Sequence, residues 1–337
     1  MRERPRAANW LNDGVKGFVC ERCCFWKAQP LFAREIFSSA KTLWHAHKGQ
    51  RQQTGHRRDK EASRRRFQTP LAAAHQDGCK REGEAGKVVR LIKVNNANRE
   101  VFLTAEWKHL AMLNYEIEPS VLAPFVPTGT ELDSWNGKSF VSVVGFLFLR
   151  TRVFGMPIPF HRNFVEVNLR FYVRRKADDG WRRGVVFVKE IVPRVFIALV
   201  AQKFYDEPYI ALPMAHRIDG ADGSLKSAEY FWRFDGKQNA LRLATTGEAQ
   251  SLRDGSEAEF ITEHFWGYNR QRDGSTLEYR VEHPRWRVYE TTEAHLDCDV
   301  VGLYGTRFRD SLNCKPSSAF LADGSPVTVF KGQRLTR

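Results

Sequence analysis

The amino-acid sequence predicts a mostly β (α+β) domain that begins near residue 100. Two observations support this fold class. First, short runs of alternating apolar and polar residues recur from that point to the C-terminus, and turn-forming residues separate them. Second, only two or three stretches have the 3.6-residue spacing of a helix, and no repeat of the length found in solenoid proteins occurs.

Turn signals divide this region into strands. Asn136-Gly137 is a strong hairpin signal ahead of a long apolar segment. Segments 163–174 and 182–192 flank the turn sequence Ala-Asp-Asp-Gly, so we expect them to pair as antiparallel neighbours. Further strands are predicted at 110–117, 228–234, 260–270, 276–290 and 325–330.

Helices are predicted in three places. A short one follows Pro119. Residues 193–205 are apolar on most sides and lack internal proline and glycine, which predicts a buried helix with Pro193 in its first turn. Residues 299–313 place their large apolar side chains at helical spacing.

Charge is distributed unevenly along the 337 residues. Residues 1–98 contain 21 lysines and arginines against 9 aspartates and glutamates, whereas residues 99–337 contain 32 against 30. The pI of ≈ 9.6 therefore reflects the first third of the chain. Nucleic-acid binding through this segment is disfavoured, because no known nucleic-acid-binding motif accompanies its basic residues.

Residues 1–98 show no sustained helical or strand periodicity. We expect a basic, disordered extension, or a stretch read in frame from a start codon placed too early, ahead of a domain over residues 99–335. Cys20, Cys23 and Cys24 form one C-x-x-C cluster, but a second pair at zinc-finger or ribbon spacing is missing. Free thiols are therefore expected here, and no metal site.

The localisation and the partners are predicted from sequence features that the chain lacks. An apolar run of membrane-spanning length and a signal peptide are both missing, so we expect a cytoplasmic protein without membrane association. Cys298 and Cys314 are too few for a disulfide framework in residues 99–337. No cofactor is predicted, a small-molecule ligand is the expected partner, and the sequence leaves the oligomeric state open.

The segment NFVEVNLRFYV, residues 163–173, alternates strictly, with apolar residues from Val165 to Val173 on one side. Polar groups among aromatic side chains, which are typical of small-molecule pockets, occupy the other side. We therefore predict that this side lines a cavity, in which Arg170 binds an anion and Glu166 is a candidate general base. A solvated outer face or a buried ion-pair network is the alternative. We call this side the polar face of the strand; its members are Phe164, Glu166, Asn168, Arg170 and Tyr172.

His264 and His283 are further candidates for acid–base catalysis. They lie in segments that are predicted to form neighbouring strands of one hairpin. Alternation places His283 on the same inward side as Leu277 and Tyr279. The alternative is that both are core histidines with satisfied hydrogen bonds, and a metal pair is disfavoured because their spacing matches no recognised motif.

Three separated motifs are shared with a known family. They are NFVEVNLRFYV (163–173), FITEHFWGYNRQRDGSTLEYRVEHPRW (260–286) and SSAFLADGSPVTVF (317–330). In these motifs the chain resembles the uncharacterised YqjF-like family, the domain of unknown function 2071, over about residues 101–335. The resemblance implies the fold of acetoacetate decarboxylase, a bent β-barrel or cone-shaped sheet with a central cavity and two or three covering helices.

The same resemblance implies a difference in chemistry. Glu166 resembles the decarboxylase's active-site glutamate, whereas Met214 and Ala215 stand where that enzyme has two adjacent lysines after a proline. Schiff-base decarboxylation, which needs such a lysine, is therefore not expected. Lys189 alternates with Phe187 and is an alternative nucleophile; a solvated or paired lysine is the other interpretation.

Two classes of function remain open. The first is an enzyme that acts on an anionic or carbonyl-bearing metabolite without a Schiff base, with Glu166 transferring protons and Arg170 holding the substrate. The second is a non-catalytic ligand-binding or sensor module on the same fold. The missing lysine pair favours the second class over decarboxylation.

Overall fold

The structure is a computed structural model of the chain, and it describes residues 100–158, 160–193, 206 and 208–335. The predicted extension over residues 1–98, with its cysteine cluster, lies outside these residues. All but the first residue of the predicted helix over 193–205 also lies outside them. Both therefore stay predictions.

The described part of the chain is mostly β, as the sequence predicts. The strands are β1 Val101–Glu116, β2 Glu131–Leu132, β3 Phe140–Val153, β4 Met156–Pro157, β5 Phe164–Ala177, β6 Gly180–Val192, β7 Tyr209–Ala211, β8 Met214–Ala221, β9 Ser224–Phe234, β10 Lys237–Ser251, β11 Trp266–Arg270, β12 Thr276–Glu282, β13 Arg287–Asp297, β14 Ser318–Phe330 and β15 Gln333–Arg334.

The helices of the described residues are short. They are α1 Pro119–Leu122, α2 Glu257–Thr262, α3 Val300–Tyr304 and α4 Arg309–Leu312, with 3₁₀ turns at Ala123–Phe125 and Thr306–Phe308. No helix in this part of the chain has the length and apolarity needed to cross a membrane.

Two strand predictions were wrong in part. Residues 283–286, expected within a strand over 276–290, form a loop between β12 and β13. Residues 260–262, expected as the start of a strand, belong to α2, and the strand β11 begins only at Trp266. Ser256 begins this helix: its side chain accepts a hydrogen bond from the backbone of Glu259, and the Glu259 side chain accepts one from the backbone of Gly255. The sequence Ser-Glu-Ala-Glu is thus a helix-start signal that strand periodicity concealed.

The turn predictions hold. Asn136 and Gly137 both have positive φ values, of 50° and 77°, and an isolated bridge joins Trp135 to Lys138 on either side of them. A two-residue hairpin turn of this type needs positive φ at both central residues. Asparagine tolerates that conformation, and glycine adopts it without steric cost. β5 and β6 pair in the antiparallel sense, as expected from the turn between them.

Seven strands close into a ring, in the order β12, β11, β6, β5, β3, β1 and β14. The ring closes where β14 pairs with β12, through Val281 with Val329 and Glu282 with Thr328. From β14 the sheet also continues through β13, β10, β9 and β8. These further strands form a second layer, since residues of β9 and β10 pack against the ring strand β5 in one core cluster.

The two faces of the ring strands have different partners. The apolar side of β5, with Val167, Leu169 and Phe171 fully buried, belongs to the largest core cluster together with residues of β9, β10 and α3. Gly145 on β3 permits this packing, because a Cβ there would lie 2.5 Å from Cδ2 of Tyr230 on β9. The opposite side of β5 therefore faces the interior of the ring.

Candidate functional site

The interior of the ring holds a cavity of about 160 Å³, measured as the space open to the centres of water molecules. Its walls are mostly aromatic. Phe148 and Phe164 stack with ring centroids 4.6 Å apart, and Trp107 packs edge-on against Phe146 at 5.5 Å. Apolar walls of this kind strengthen electrostatic interactions with any charged group inside, since water cannot screen them.

The polar face of β5 provides four of the lining residues. Phe164, Glu166, Asn168 and Arg170 border the cavity, so the structure brings together most of the predicted ligand-binding row. Tyr172 does not line it. Its hydroxyl lies 2.6 Å from Ser142 Oγ and its ring packs against His264, so it supports the wall from behind.

β6 contributes a carboxylate that the sequence did not reveal. The pairing of β5 with β6 shifts by one residue between Leu169 and Arg170, so Val188 is left as a bulge. Glu190 then lies directly opposite Asn168, lines the cavity, and is 1% exposed. Without the bulge, strict alternation from Phe187 would place the side chain of Lys189, and not that of Glu190, in the cavity wall.

The same bulge settles the orientation of Lys189. This residue pairs with Leu169, whose side chain belongs to the outer core cluster, and directly opposite residues point to the same side of a sheet. Lys189 does not line the cavity, so its interpretation as a nucleophile of the cavity was wrong. No lysine is found among the described residues that line the cavity, and Met214 and Ala215 are not lining residues either.

Arg170 is the one arginine among the described residues that line the cavity. The residue is 9% exposed, and its Nη2 donates only weak hydrogen bonds, at 3.4 Å to the carbonyl oxygen of Ile261 and at 3.8 Å to Sδ of Met112. The guanidinium also lies 5.7 Å from the centre of the Tyr172 ring. Among the described residues, no carboxylate forms an ion pair with it within 4.0 Å.

His264 lies next to α2 and is held by an acidic partner. Its Nε2 is 3.3 Å from Oδ2 of Asp133, which also accepts a hydrogen bond from Nε of Arg183 at 2.7 Å. Burial lowers the pKa of His264 to about 4, with Arg183 adding to that effect and Asp133 opposing it. The pKa of Asp133 falls to about 2 despite burial, because His264 and Arg183 donate to it.

This arrangement fixes the tautomer of His264. A neutral imidazole that donates from Nε2 to Asp133 must keep Nδ1 unprotonated. Nδ1 is buried and has no hydrogen-bond partner among the described residues. Asp133 was not expected from the sequence, since nothing near a single aspartate after β2 indicates a partner 131 positions away.

His283 lies in the loop after β12 and stacks on Trp286, with ring centroids 4.1 Å apart. Burial lowers the pKa of His283 to about 4, and the nearby Arg170 contributes in the same direction. Its Nδ1 lies 2.9 Å from the carbonyl oxygen of Pro284. Both predicted histidines line the cavity, although in loops at the open end of the β11–β12 hairpin and not within its strands.

The end of the cavity near Glu166 is rich in hydrogen-bond acceptors. Asn168 Nδ2 donates to Glu166 Oε1 at 3.0 Å, and the hydroxyl of Tyr209 on β7 donates to Oε2 at 3.5 Å. Asn168 Oδ1 is buried without a hydrogen-bond partner among the described residues. Glu166 and Glu190 are both almost fully buried here.

The fold and the cavity define a protein of the acetoacetate-decarboxylase-like structural class. The enduracididine biosynthesis enzyme MppR, solved with HEPES buffer bound, superimposes with a TM-score of 0.51 and 11% identity, over 78% of this chain and 99% of MppR. An acetoacetate decarboxylase structure superimposes with a TM-score of 0.50 and 10% identity, over 69% of this chain and 89% of that chain. At such low identity these similarities establish the fold alone.

Sequence comparison then identifies the family. The DUF2071 family, described as an uncharacterised conserved protein, matches residues 104–326. The uncharacterised protein YqjF of Bacillus subtilis (strain 168) is 30% identical over 200 residues, which are 58% of this chain and 78% of YqjF. The chain belongs to the DUF2071 family, as the three sequence motifs predict.

Proposed function

We propose that the cavity binds a small molecule that carries a carboxylate or a similar anionic group, with Arg170 as its main contact. The observation that carries this proposal is the state of Arg170. A buried guanidinium without a carboxylate partner among the described residues costs free energy, because the charge has lost water without gaining a counter-ion. A bound anion would remove that cost, and the planar guanidinium matches a carboxylate in geometry.

The neutral histidines support an anion at the same place. His264 and His283 both lie near enough to Arg170 for its charge to lower their pKa values. At neutral pH they add no positive charge, so Arg170 is the cation that a ligand would meet among the described lining residues. Glu166 is our candidate for proton transfer to or from the bound molecule, because it is buried in the cavity wall and oriented by Asn168.

The test compares two arginines on the same strand. Arg170→Gln removes the cavity cation, and Arg174→Gln removes one that pairs with Glu131 at the surface. The full-length protein, purified gently from cells and examined by native mass spectrometry, should retain a small molecule that only Arg170→Gln loses. Titration with short-chain carboxylates should show at least a tenfold loss of affinity in Arg170→Gln alone. Equal affinity in all three proteins would contradict the proposal.

A non-catalytic ligand-binding module is the second candidate. The observation that favours it is that the described residues lining the cavity include no lysine, the residue type that forms the Schiff base in the decarboxylase reaction. Incubating the retained molecule with the wild-type protein and with Glu166→Gln separates the two candidates. Turnover by the wild type that Glu166→Gln loses would establish an enzyme, and recovery of the unchanged molecule from both would establish a binding module.

A further inference from the structure

His283 is fixed in the cavity wall by the aromatic rings around it. Its imidazole stacks on Trp286, with ring centroids 4.1 Å apart and an angle of 16° between the planes. The ring of Phe265 lies 5.0 Å away, and that of Trp107 lies 6.4 Å away. Because a side chain packed against several aromatic rings keeps one orientation, the hydrogen-bonding atoms of His283 have fixed directions.

One nitrogen of this imidazole already has a partner in the fold. Nδ1 lies 2.9 Å from the carbonyl oxygen of Pro284, and since a carbonyl oxygen can only accept, Nδ1 carries the proton. Burial holds the pKa of His283 at about 4, so the ring is neutral at pH 7 and Nε2 is a hydrogen-bond acceptor. No partner of Nε2 is found among the described residues. Because His283 lines the cavity, Nε2 is the polar atom that it offers to a ligand.

Arg170 limits the kind of donor that can approach this acceptor. After burial, the charge of Arg170 is a further cause of the low pKa of His283, which means that a positive charge at the imidazole is disfavoured. An ammonium group of a ligand at Nε2 would meet the same repulsion. A ketone or carboxylate oxygen there would bring two acceptors together and leave Nε2 without a donor. A neutral hydroxyl group satisfies both conditions.

We propose that the ligand is a hydroxycarboxylic acid, whose carboxylate binds Arg170 and whose hydroxyl group donates a hydrogen bond to Nε2 of His283. This inference rests on the proposed function, because it takes the carboxylate site as given. The carbon chain of the ligand contacts the aromatic wall, which includes Trp107 and Trp286 beside the histidine. His283 thereby selects hydroxy acids over keto acids, amino acids and unsubstituted carboxylic acids of the same length.

The test compares four-carbon acids that differ in one group. Each enantiomer of 2-hydroxybutyrate and of 3-hydroxybutyrate carries the hydroxyl group, and butyrate lacks it. In 2-oxobutyrate and acetoacetate a ketone takes its place, and in 2- and 3-aminobutyrate an ammonium group does. Affinities for the full-length protein would be measured by calorimetry or by NMR titration. We expect the best hydroxy acid to bind at least fivefold more tightly than butyrate and than its own keto and amino counterparts.

A variant connects this preference to His283. His283→Phe keeps an aromatic ring for stacking and removes the acceptor, so the advantage of the hydroxy acid over butyrate should fall below about twofold. Butyrate affinity should stay within about twofold of the wild-type value. His295→Phe is the matched control, because His295 on β13 is exposed and does not line the cavity, and it should change neither affinity. Equal losses of both affinities in His283→Phe would assign the histidine a structural role and overturn the inference.

The wild-type protein provides a second measurement, which does not depend on the folding of a variant. With ¹⁵N-labelled histidine, the NMR signal of Nε2 of His283 should be that of an unprotonated nitrogen at pH 7. It should shift when the hydroxy acid is added and stay in place when butyrate is added. A protonated Nε2, or a signal that a saturating hydroxy acid leaves unchanged, would contradict the proposed contact.

The outcomes separate this inference from the proposed function. If butyrate, the keto acids and the hydroxy acids bind equally and all require Arg170, the hydroxyl contact is wrong and the anion site stands. An advantage of the hydroxy acid that survives in His283→Phe would also overturn the inference. Absence of binding by every probe, or binding that Arg170→Gln does not weaken, would overturn both proposals.

Discussion

Two buried charges in the same sheet have opposite surroundings. Glu278 on β12 is 2% exposed and accepts hydrogen bonds from Arg182 at 2.6 Å, Arg175 at 3.2 Å and Tyr268 at 3.2 Å. Arg170 on β5 is 9% exposed, and its hydrogen bonds to described residues are weak ones, to a thioether and a backbone carbonyl.

The difference distinguishes a charge with several partners in the fold from the charge that we propose as the contact for a ligand. The partners of Glu278 come from β5, β6 and β11, so this cluster ties four strands of the ring together. Removing one partner of a buried ion pair is destabilising because the other charge stays buried without a partner, whereas removing a buried charge that has no carboxylate partner leaves no such charge behind. We therefore expect removal of the two charges to have different effects.

The largest effect is expected for Glu278→Gln. It leaves Arg175 and Arg182 without their carboxylate, and breaking such a buried pair from one side costs about 3 kcal/mol of unfolding free energy. The matched control on the same strand is Glu282→Gln, whose carboxylate is 40% exposed beside Arg280. Urea denaturation should show a change below about 1 kcal/mol for this control. Equal losses of unfolding free energy in the two variants would contradict the expectation that the buried ion pair matters more than the exposed one.

A comparable effect is expected from pH, through His264. Its pKa in the folded chain is about 4, below the ordinary value of 6.5. As the pH falls between these values, the unfolded chain binds a proton that the folded chain does not. The free energy of unfolding should therefore have its full value above pH 6.5 and decrease by about 3 kcal/mol as the pH falls towards 4.

The variant His264→Gln measures the histidine's share of this decrease. His283 titrates in the same range and remains in the variant, so the slope of stability against pH should become shallower without vanishing. The depressed pKa of Asp133, about 2, acts only at lower pH. An unchanged slope between pH 6.5 and 4 would show that His264 does not stay neutral in the folded chain.

A smaller effect on stability is expected for Arg170→Met. Replacing a buried guanidinium that has no carboxylate partner among the described residues with an apolar side chain of similar length should leave the unfolding free energy within about 1 kcal/mol of the wild-type value, or raise it. The same variant should lose at least tenfold in affinity for carboxylates. A loss of stability as large as that of Glu278→Gln would mean that Arg170 has a structural role.

The smallest effect is expected for Lys189→Met. Because Lys189 points away from the cavity, carboxylate affinity should stay within about twofold and unfolding free energy within about 0.5 kcal/mol. Both are measured by the titration and denaturation used above. Altered ligand affinity here would indicate that the bulge at Val188 is absent in solution.

Sequence reasoning identified the features that depend on local alternation. The inward side of β5 and the inward position of His283 follow from the two-residue period of a strand, and the structure places Glu166, Asn168, Arg170 and His283 at the cavity. The family resemblance supplied the closed arrangement of strands, which alternation alone does not determine.

Features that depend on distant partners or on irregular pairing were not predictable. Asp133 and His264 are 131 positions apart in sequence, and only the closed ring brings them into contact. Glu190 was missed because a bulge breaks the two-residue period that identifies lining residues. Helix α2 was the exception: its Ser-x-x-Glu start signal was present in the sequence but was outweighed by the apolar residues that follow it.

The bulge at Val188 has a consequence for how members of this family are aligned. A relative with regular pairing between the two central strands has one residue fewer at this point, so a correct alignment opens a gap opposite Val188. An alignment without that gap sets the cavity-facing acidic residue of the relative against Lys189. Such a mismatch would suggest a change from acid to lysine in the pocket, although both proteins would present a carboxylate at the same point in space.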